Sequence, residues 1–255
     1  MAWDPVLYEK FVGSRLRPGL DLIENIPEVE ARRIIDLGCG TGRLTERLCA
    51  RWSDAQVSGL DSSPAMLKQA RADFPAIEWI EADVAKWAPE VPLDIIMSNA
   101  ALHWLSDHTS LFPRLFGTLA PGGVLAVQMP RNWSEPSHML MRTAAQKVGV
   151  LEKLGPDIVP VSDPAFYYDL LAPLAAHLEI WETTYIQPLE GDNPVVDWVR
   201  STALQPVMAQ LSDGEAADFL QVYGDMVRVA YAKRADGRTL FPFHRLFIVA
   251  VAGNR

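Results

Sequence analysis

The sequence predicts an α/β fold: a doubly wound, mostly parallel seven-stranded sheet with a helical cap built from insertions in the C-terminal half. Three observations predict it. Short apolar runs alternate with helix-period segments between residues 30 and 130. A glycine-rich segment follows the first run directly. Beyond residue 130 helical segments dominate, interrupted by two late apolar runs. Strands alternating with helices imply βαβ units, hence parallel strands covered on both faces.

Ile34-Ile35-Asp36-Leu37 reads as the first buried strand, stopped by glycines. A helix follows with Leu44 and Leu48 on one face, four residues apart. Val57 to Leu60 is the second strand, and the next helix opens with Ser63 as N-cap and Pro64 at its first position. Ile77 to Ile80, Leu93 to Met97 and Val124 to Gln128 are the next three strands. In the second half, Pro136 to Val148 reads as a helix, and Asn193 can cap another that begins at Pro194. Ser212 and Glu215 form a capping-box pair for a helix running towards Ala235. Leu178 to Ile186 and Arg245 to Val251 are the two late strands that finish the sheet. The expected organisation is one domain over residues 1–255, with a core at 30–130 and a helical cap at 131–255 interleaved with the last strands.

Composition narrows the function classes. With 49% hydrophobic and 22% charged residues in 255, the chain is globular rather than disordered. The net charge of -9 repels nucleic acid and anionic membrane surfaces. Cys39 and Cys49 are too few for a disulfide framework or a cysteine-built zinc site, so no metal is expected. The opening Met1-Ala2-Trp3-Asp4-Pro5 lacks the basic start and apolar core of a signal peptide, and stretches such as Leu246 to Ala252 fall far short of a membrane span. The expectation is a cytoplasmic monomer acting on a small molecule.

The most informative segment is Asp36-Leu37-Gly38-Cys39-Gly40-Thr41-Gly42. It ends a strand and opens a helix, so its backbone N–H groups are expected to face a ligand above the strand end. A dinucleotide fingerprint, G-x-G-x-x-G, would place its third glycine at position 43, which is Arg43. The third glycine is Gly42 instead, one residue early, and an acid precedes the first glycine by two.

That arrangement resembles the first motif of class I S-adenosylmethionine-dependent methyltransferases, an acid followed by G-x-G-x-G. The resemblance implies that Gly38 and Gly40 lie against S-adenosylmethionine. It implies that Asp61, with Ser62 beside it, accepts the ribose hydroxyls, and that Asp83 and Val84 read the adenine amino group. Met66 would line the adenine side. Asn99 closes the fourth strand at the same edge, and Leu119-Ala120-Pro121-Gly122-Gly123 resembles the turn into the family's fifth strand. Residues 1–29 would fold over the cofactor, with Arg17 on the methionyl carboxylate and Tyr8, near Phe11, covering the methionyl side. Cys39 between the glycines has no basic partner in the sequence and is read as a spacer, not a nucleophile.

For the acceptor, Asn99-Ala100-Ala101-Leu102-His103-Trp104 lacks the prolines of exocyclic-amine methyltransferases, and no basic stripe is present to hold phosphates. The chain further resembles the trans-aconitate methyltransferase family. Trp3-Asp4-Pro5, Arg15-Leu16-Arg17-Pro18, Asp61 to Met66, Trp104 to His108, Gln128 to His138, Ile180 to Tyr185 and Arg245 to Ala250 carry that resemblance. Phe243-His244 departs from it. The resemblance implies methyl-ester formation on a tricarboxylate.

Such an acceptor ionises near pH 4, so it needs positioning and charge neutralisation rather than a base. Arg131 and Arg245 are the candidate clamps, because a guanidinium takes a carboxylate with two parallel bonds. Asn132, His138 and Trp104 complete the candidate acceptor pocket, with Trp133 as a wall and His103 as a weaker candidate. Other readings remain open at this point: an O-methyltransferase with a different acceptor, a NAD-dependent oxidoreductase, or a non-catalytic regulator that keeps the cofactor fold.

Overall fold

Glycines and short polar turns divide the apolar runs into a seven-stranded sheet of order β3-β2-β1-β4-β5-β7-β6, seen in a computed structural model that describes residues 12–154, 161–200 and 203–254. The strands are Arg33–Leu37 (β1), Gln56–Asp61 (β2), Glu78–Glu81 (β3), Leu93–Asn99 (β4), Leu119–Pro130 (β5), Ala175–Leu189 (β6) and Thr239–Ala252 (β7). β1 pairs in parallel with β2 and β4, β2 with β3, and β4 with β5. β7 is antiparallel to β5, from Val124 opposite Val251 to Pro130 opposite Arg245. The doubly wound, mostly parallel expectation holds.

The described helices are Val12–Glu24 (α1), Arg43–Arg51 (α2), Pro64–Asp73 (α3), His108–Phe116 (α4), Pro136–Lys147 (α5), Pro164–Leu171 (α6), Pro194–Arg200 (α7), Gln205–Met208 (α8) and Asp213–Ala230 (α9). Local chemistry explains their ends. Ser63 accepts from the Met66 N–H and Pro64 stands in the first turn of α3, as expected from the sequence. Ser212 and Glu215 form the full capping box at α9.

Four elements depart most from their expected bounds. α9 stops at Ala230, short of Ala235, because Tyr231 leaves helical geometry and the following residues turn, with Lys233 bridging to Thr239. β6 and β7 are longer than their apolar runs, since alternating exposed residues let a half-buried strand continue past them. β5 starts at Leu119 and includes the glycine turn, with a register shift between Leu93 and Ile95 on its partner. Asn193 precedes α7 as expected, and its carboxamide donates to the Gly224 carbonyl.

The chain divides into two compact units. One comprises Leu16–Pro130, Val161–Thr183 and Arg245–Arg255. Its core packs Phe112 and Leu115 of α4 and Tyr167 and Leu171 of α6 against Leu125, Val127, Leu246 and Ile248 of the sheet. Each such side chain, fully buried, stabilises by roughly 1.5–3 kcal/mol. His108 ties the layer further, with Nδ1 2.7 Å from the Tyr167 hydroxyl. Arg51 of α2 donates to the carbonyls of Ile23 and Ile26 and so secures the end of α1.

The other unit comprises Met1–Arg15, Arg131–Pro160 and Thr184–His244. α5 packs on α9 there. The Tyr223 hydroxyl donates to the Ser137 carbonyl at 2.6 Å, and the Ser137 N–H donates to the Tyr231 hydroxyl at 3.1 Å. Trp198 of α7 packs edge-on against Phe243. No helix among the described residues is long and apolar enough to cross a membrane.

Candidate active site

β1 delivers the chain into a loop in which Gly38 and Gly40 both have positive φ, 74° and 56°. A side chain strains there, and at Gly38 a Cβ would also overlap that of Ala101. At Gly40 nothing lies within 4 Å of where a Cβ would stand. Gly38 is therefore closed off by Ala101, while Gly40 faces open space.

Four of the loop's N–H groups bond within the protein rather than facing a ligand. Gly38 and Cys39 donate to the Leu60 carbonyl at 2.7 and 3.0 Å, Gly42 to Cys39, and Gly40 to Asp61 Oδ2 at 2.9 Å. Gly38, Cys39 and Gly40 are thereby tied to β2, and Gly42 closes a turn within the loop. A cofactor without phosphate suits such a loop.

Asp61, at the end of β2, also accepts from the Ser63 N–H through Oδ1 at 2.8 Å. Each carboxylate oxygen has two acceptor sites, so both retain one for a diol. Beneath the loop, Asp36 is buried and accepts from the Thr45 hydroxyl at 2.7 Å. Burial raises its carboxyl to about 6, against the Thr45 bond, with a smaller push from Asp61. Cys39 is pushed well above the ordinary thiol range by burial and by Asp36 and Asp61, which is the opposite of an activated nucleophile.

Asn99 closes β4 on the same edge, half-buried, and its Oδ1 is shielded with no hydrogen-bond partner. α1 approaches it closely: a Cβ on Gly19 would sit 3.2 Å from the Asn99 carboxamide carbon. Arg17 lies on α1, 70% exposed and 4.0 Å from Asp21. Tyr8 lies outside the described residues, as does Phe11. Ser62, next to Asp61, is exposed, and Met66 is half-buried in the first turn of α3. Asp83 accepts from the Ala85 N–H at 2.9 Å and stands 3.7 Å from Lys86. Val84 turns its side chain into the core, and its carbonyl accepts from Arg114 at 2.8 Å.

The acceptor candidates divide between the units. In the first, Trp104 is exposed, its ring 4.6 Å from that of the buried His103. Arg245 is buried at the Pro130 register position. Burial, with Arg245 and His108 adding to it, lowers His103 to about 3, so the imidazole is neutral at pH 7. In the second unit, the Arg131 N–H donates to the His244 carbonyl at 3.0 Å. Asn132 is buried, donates to the Pro242 carbonyl at 3.3 Å, and has Oδ1 without a partner. Trp133 meets His138 edge-on at 5.3 Å, with its indole nitrogen unpartnered. His138 lies 3.1 Å from the Ser137 hydroxyl, and burial lowers it to about 4. His244, in the segment that departs from the family resemblance, bridges Thr184 at 2.8 Å and Glu135 at 3.1 Å.

The sequence pattern does not single out Gln128. Gln128 is 0% exposed, and neither its Nε2 nor its Oε1 has a partner. Its only mark is to be a glutamine inside the apolar run Val124–Met129, where a strand covered on both faces carries aliphatic residues.

Residues 34–123 match the methyltransferase-domain family. A trans-aconitate 2-methyltransferase of Azoarcus sp. (strain BH72) is 46% identical over 254 residues, covering 98% of both chains. One from Methylobacterium radiotolerans is 47% identical over 253 residues, covering 97% of each. Among solved structures, Haemonchus contortus phosphoethanolamine N-methyltransferase 2, in complex with S-adenosylhomocysteine, superposes with TM-score 0.56 at 16% identity. That match covers 93% of this chain and 52% of the longer Haemonchus protein, and it shows the shared fold. The chain belongs to the trans-aconitate 2-methyltransferase family of S-adenosylmethionine-dependent methyltransferases.

Proposed function

We propose that this protein transfers a methyl group from S-adenosylmethionine to a carboxylate oxygen of trans-aconitate or a related tricarboxylate, giving a monomethyl ester and S-adenosylhomocysteine. The observation that carries the cofactor reading is the edge formed by β1, β2 and β4. There Gly40 opens onto free space, Asp61 keeps acceptor capacity on both oxygens, and Asn99 holds a shielded oxygen without a partner. The acceptor follows from the relatives' activity, given near-complete coverage of both chains.

S-adenosylmethionine supplies, when bound, a methyl group on a positively charged sulfur. Gly40 admits the cofactor against the backbone, Asp61 and Ser62 hold the ribose, and Asp83, Val84 and Met66 border the adenine. Asn99, Arg17 and Tyr8 serve the methionyl end. The acceptor carboxylate is ionised at neutral pH and moves no proton, so no side chain has to act as a base. This agrees with His103, which at about 3 is too weak a base to take up a proton at pH 7, and with the half-buried Cys39 thiol, which is held protonated. The candidates for neutralising and orienting the acceptor's carboxylates are Arg245 and Trp104 in the first unit and Arg131, Asn132 and His138 in the second. Alignment of the acceptor oxygen, not proton transfer, supplies the rate. The same reading has the protein working as a cytoplasmic monomer, and without nucleic acid, which a charge of -9 repels.

The test is transfer of labelled methyl from S-adenosylmethionine to trans-aconitate, cis-aconitate, citrate and isocitrate, with products identified by mass spectrometry. Turnover that strongly favours trans-aconitate is the expected result. Failure on all four with S-adenosylhomocysteine still binding overturns the acceptor, and no binding of S-adenosylhomocysteine overturns the cofactor.

A further inference from the structure

We infer that Gln128 is an acceptor-binding residue: its uncharged carboxamide receives the carboxylate that becomes methylated, while cationic side chains hold the others. The inference rests on the carboxylate-methylation reading above and names a residue that reading does not use.

The geometry comes first. Gln128 lies directly opposite Asn99 on β4 and opposite Phe247 on β7. Residues paired across a ladder point to the same face of a sheet, so the three side chains form one row. Trp181 stacks on Phe247, with ring centroids 4.8 Å apart and 4° between planes, and closes the far end of the row. Pro130 and Arg245, the next same-face pair along β5 and β7, place the guanidinium residue one step beyond Gln128. Open α/β sheets bind ligands at the carboxyl ends of their strands, and Gln128 stands near the carboxyl end of β5.

The second observation is energetic. A buried carboxamide with neither donor nor acceptor satisfied costs stability, and most buried polar groups are paired. Gln128 has both atoms unpaired, and its neighbour Asn99 has one. An aliphatic residue would fill the same volume at less cost. The Asn99 oxygen is given to the cofactor in the reading above, so the unmet capacity of Gln128, beside it in the same row, is what the acceptor completes. Asn99 is half-buried and marks the accessible end of the row. Acceptor reaching Gln128 must displace the side chains that cover it.

Charge then decides which carboxylate belongs there. The attacking carboxylate loses its negative charge as its oxygen takes the methyl carbon and the methyl–sulfur bond breaks. A guanidinium on that group would stabilise the starting state more than the transition state and slow the reaction. A neutral Nε2–H donor aims the oxygen with a smaller penalty. Carboxylates that keep their charge lose nothing to a cation, which suits the Arg245 side.

The experiment compares Gln128→Met, which keeps length and burial but removes both polar groups, with Gln128→Glu, which keeps shape and adds a charge. Steady-state kinetics with trans-aconitate, calorimetric titration of S-adenosylhomocysteine and thermal melts are measured for each. Gln128→Met is expected to lower kcat/KM for trans-aconitate by about tenfold to a hundredfold, the worth of a hydrogen bond to a charged group. Its affinity for S-adenosylhomocysteine stays within about twofold of wild type, and its melting temperature rises by a few degrees as the unpaired amide disappears. Gln128→Glu is expected to lose more turnover than Gln128→Met, through repulsion of the acceptor. A Gln128→Met protein that melts lower and keeps wild-type kcat/KM shows a packing residue and overturns the inference. So does a loss of S-adenosylhomocysteine affinity that matches the loss of turnover. Wild-type protein that methylates no polycarboxylate overturns the underlying reading, an outcome distinct from an active wild type with an indifferent Gln128.

Discussion

The Thr45 hydroxyl donates to Asp36 Oδ2 at 2.7 Å beneath the glycine loop, and that single bond is the side-chain support given to a carboxyl buried at the end of β1. Burial outweighs it, so Asp36 in the folded protein ionises near 6 rather than 3.8. The folded state then binds more protons than the unfolded one between those values. The stability from protonated Asp36 is full below about 3.8 and lost as pH rises through about 6. That displacement corresponds to about 3 kcal/mol at most. Asp36→Asn is therefore expected to gain stability relative to wild type between pH 4 and pH 8, by up to about that amount. Urea unfolding of both proteins at the two pH values checks it, and a constant difference refutes it.

Gly38 and Gly40 share positive φ but differ in surroundings, so alanine should separate a structural glycine from a functional one. Gly38→Ala collides with Ala101 as well as straining the backbone, and should cost several kcal/mol of stability. Gly40→Ala meets open space and should cost only the backbone strain, about 1–2 kcal/mol. Its methyl group projects where the cofactor is proposed to lie, so S-adenosylhomocysteine affinity should fall by about tenfold or more. Thermal melts and calorimetry together check the pair. A Gly40→Ala protein that binds S-adenosylhomocysteine normally removes Gly40 from the site.

What was legible in the sequence was local chemistry. Ser63-Pro64 opens α3, Ser212 with Glu215 opens α9, and the Asp36-to-Gly42 loop follows β1, because each signal acts within a few residues. Less legible was whatever depends on distant chain. The glycine-loop N–H groups turn towards Leu60 and Asp61 instead of outwards, a choice made by strand β2 some twenty residues away. α4 and α6 went unannounced, since their apolar faces become meaningful only against Leu125 and Ile248. Gln128 reads as a polar interruption until the register sets it beside Asn99.

His103 and His138 carry the acid response. Burial lowers them to about 3 and about 4, so both are neutral in the folded protein through the range where unfolded histidine, near 6.5, takes up a proton. Their contribution is present above about 6.5 and is lost as pH falls towards those values. It runs opposite to Asp36 and, with two groups and larger shifts, outweighs it. Wild-type melting temperature should therefore drop from pH 7 to pH 4, and His103→Gln should flatten much of the slope. A wild-type melting curve that does not move over that interval would show that neither imidazole is held neutral.

Arg245, proposed above as an acceptor clamp, also acts on the state of His103. It is buried, and its charge helps depress the imidazole, second to burial itself. Removing the charge with Arg245→Gln should raise the His103 pKa, read by NMR titration of the ring protons, while Arg245→Lys should leave it nearly unchanged. Turnover should sort the same variants differently. Lys keeps the charge but lacks the planar fork that takes a carboxylate with two parallel bonds, so both variants should raise KM for trans-aconitate, by about tenfold or more. S-adenosylhomocysteine affinity should hold in both. If Arg245→Lys shifts neither KM nor the His103 titration while Arg245→Gln shifts only the titration, Arg245 sets the local field without touching the acceptor. The clamp then falls to Arg131 alone.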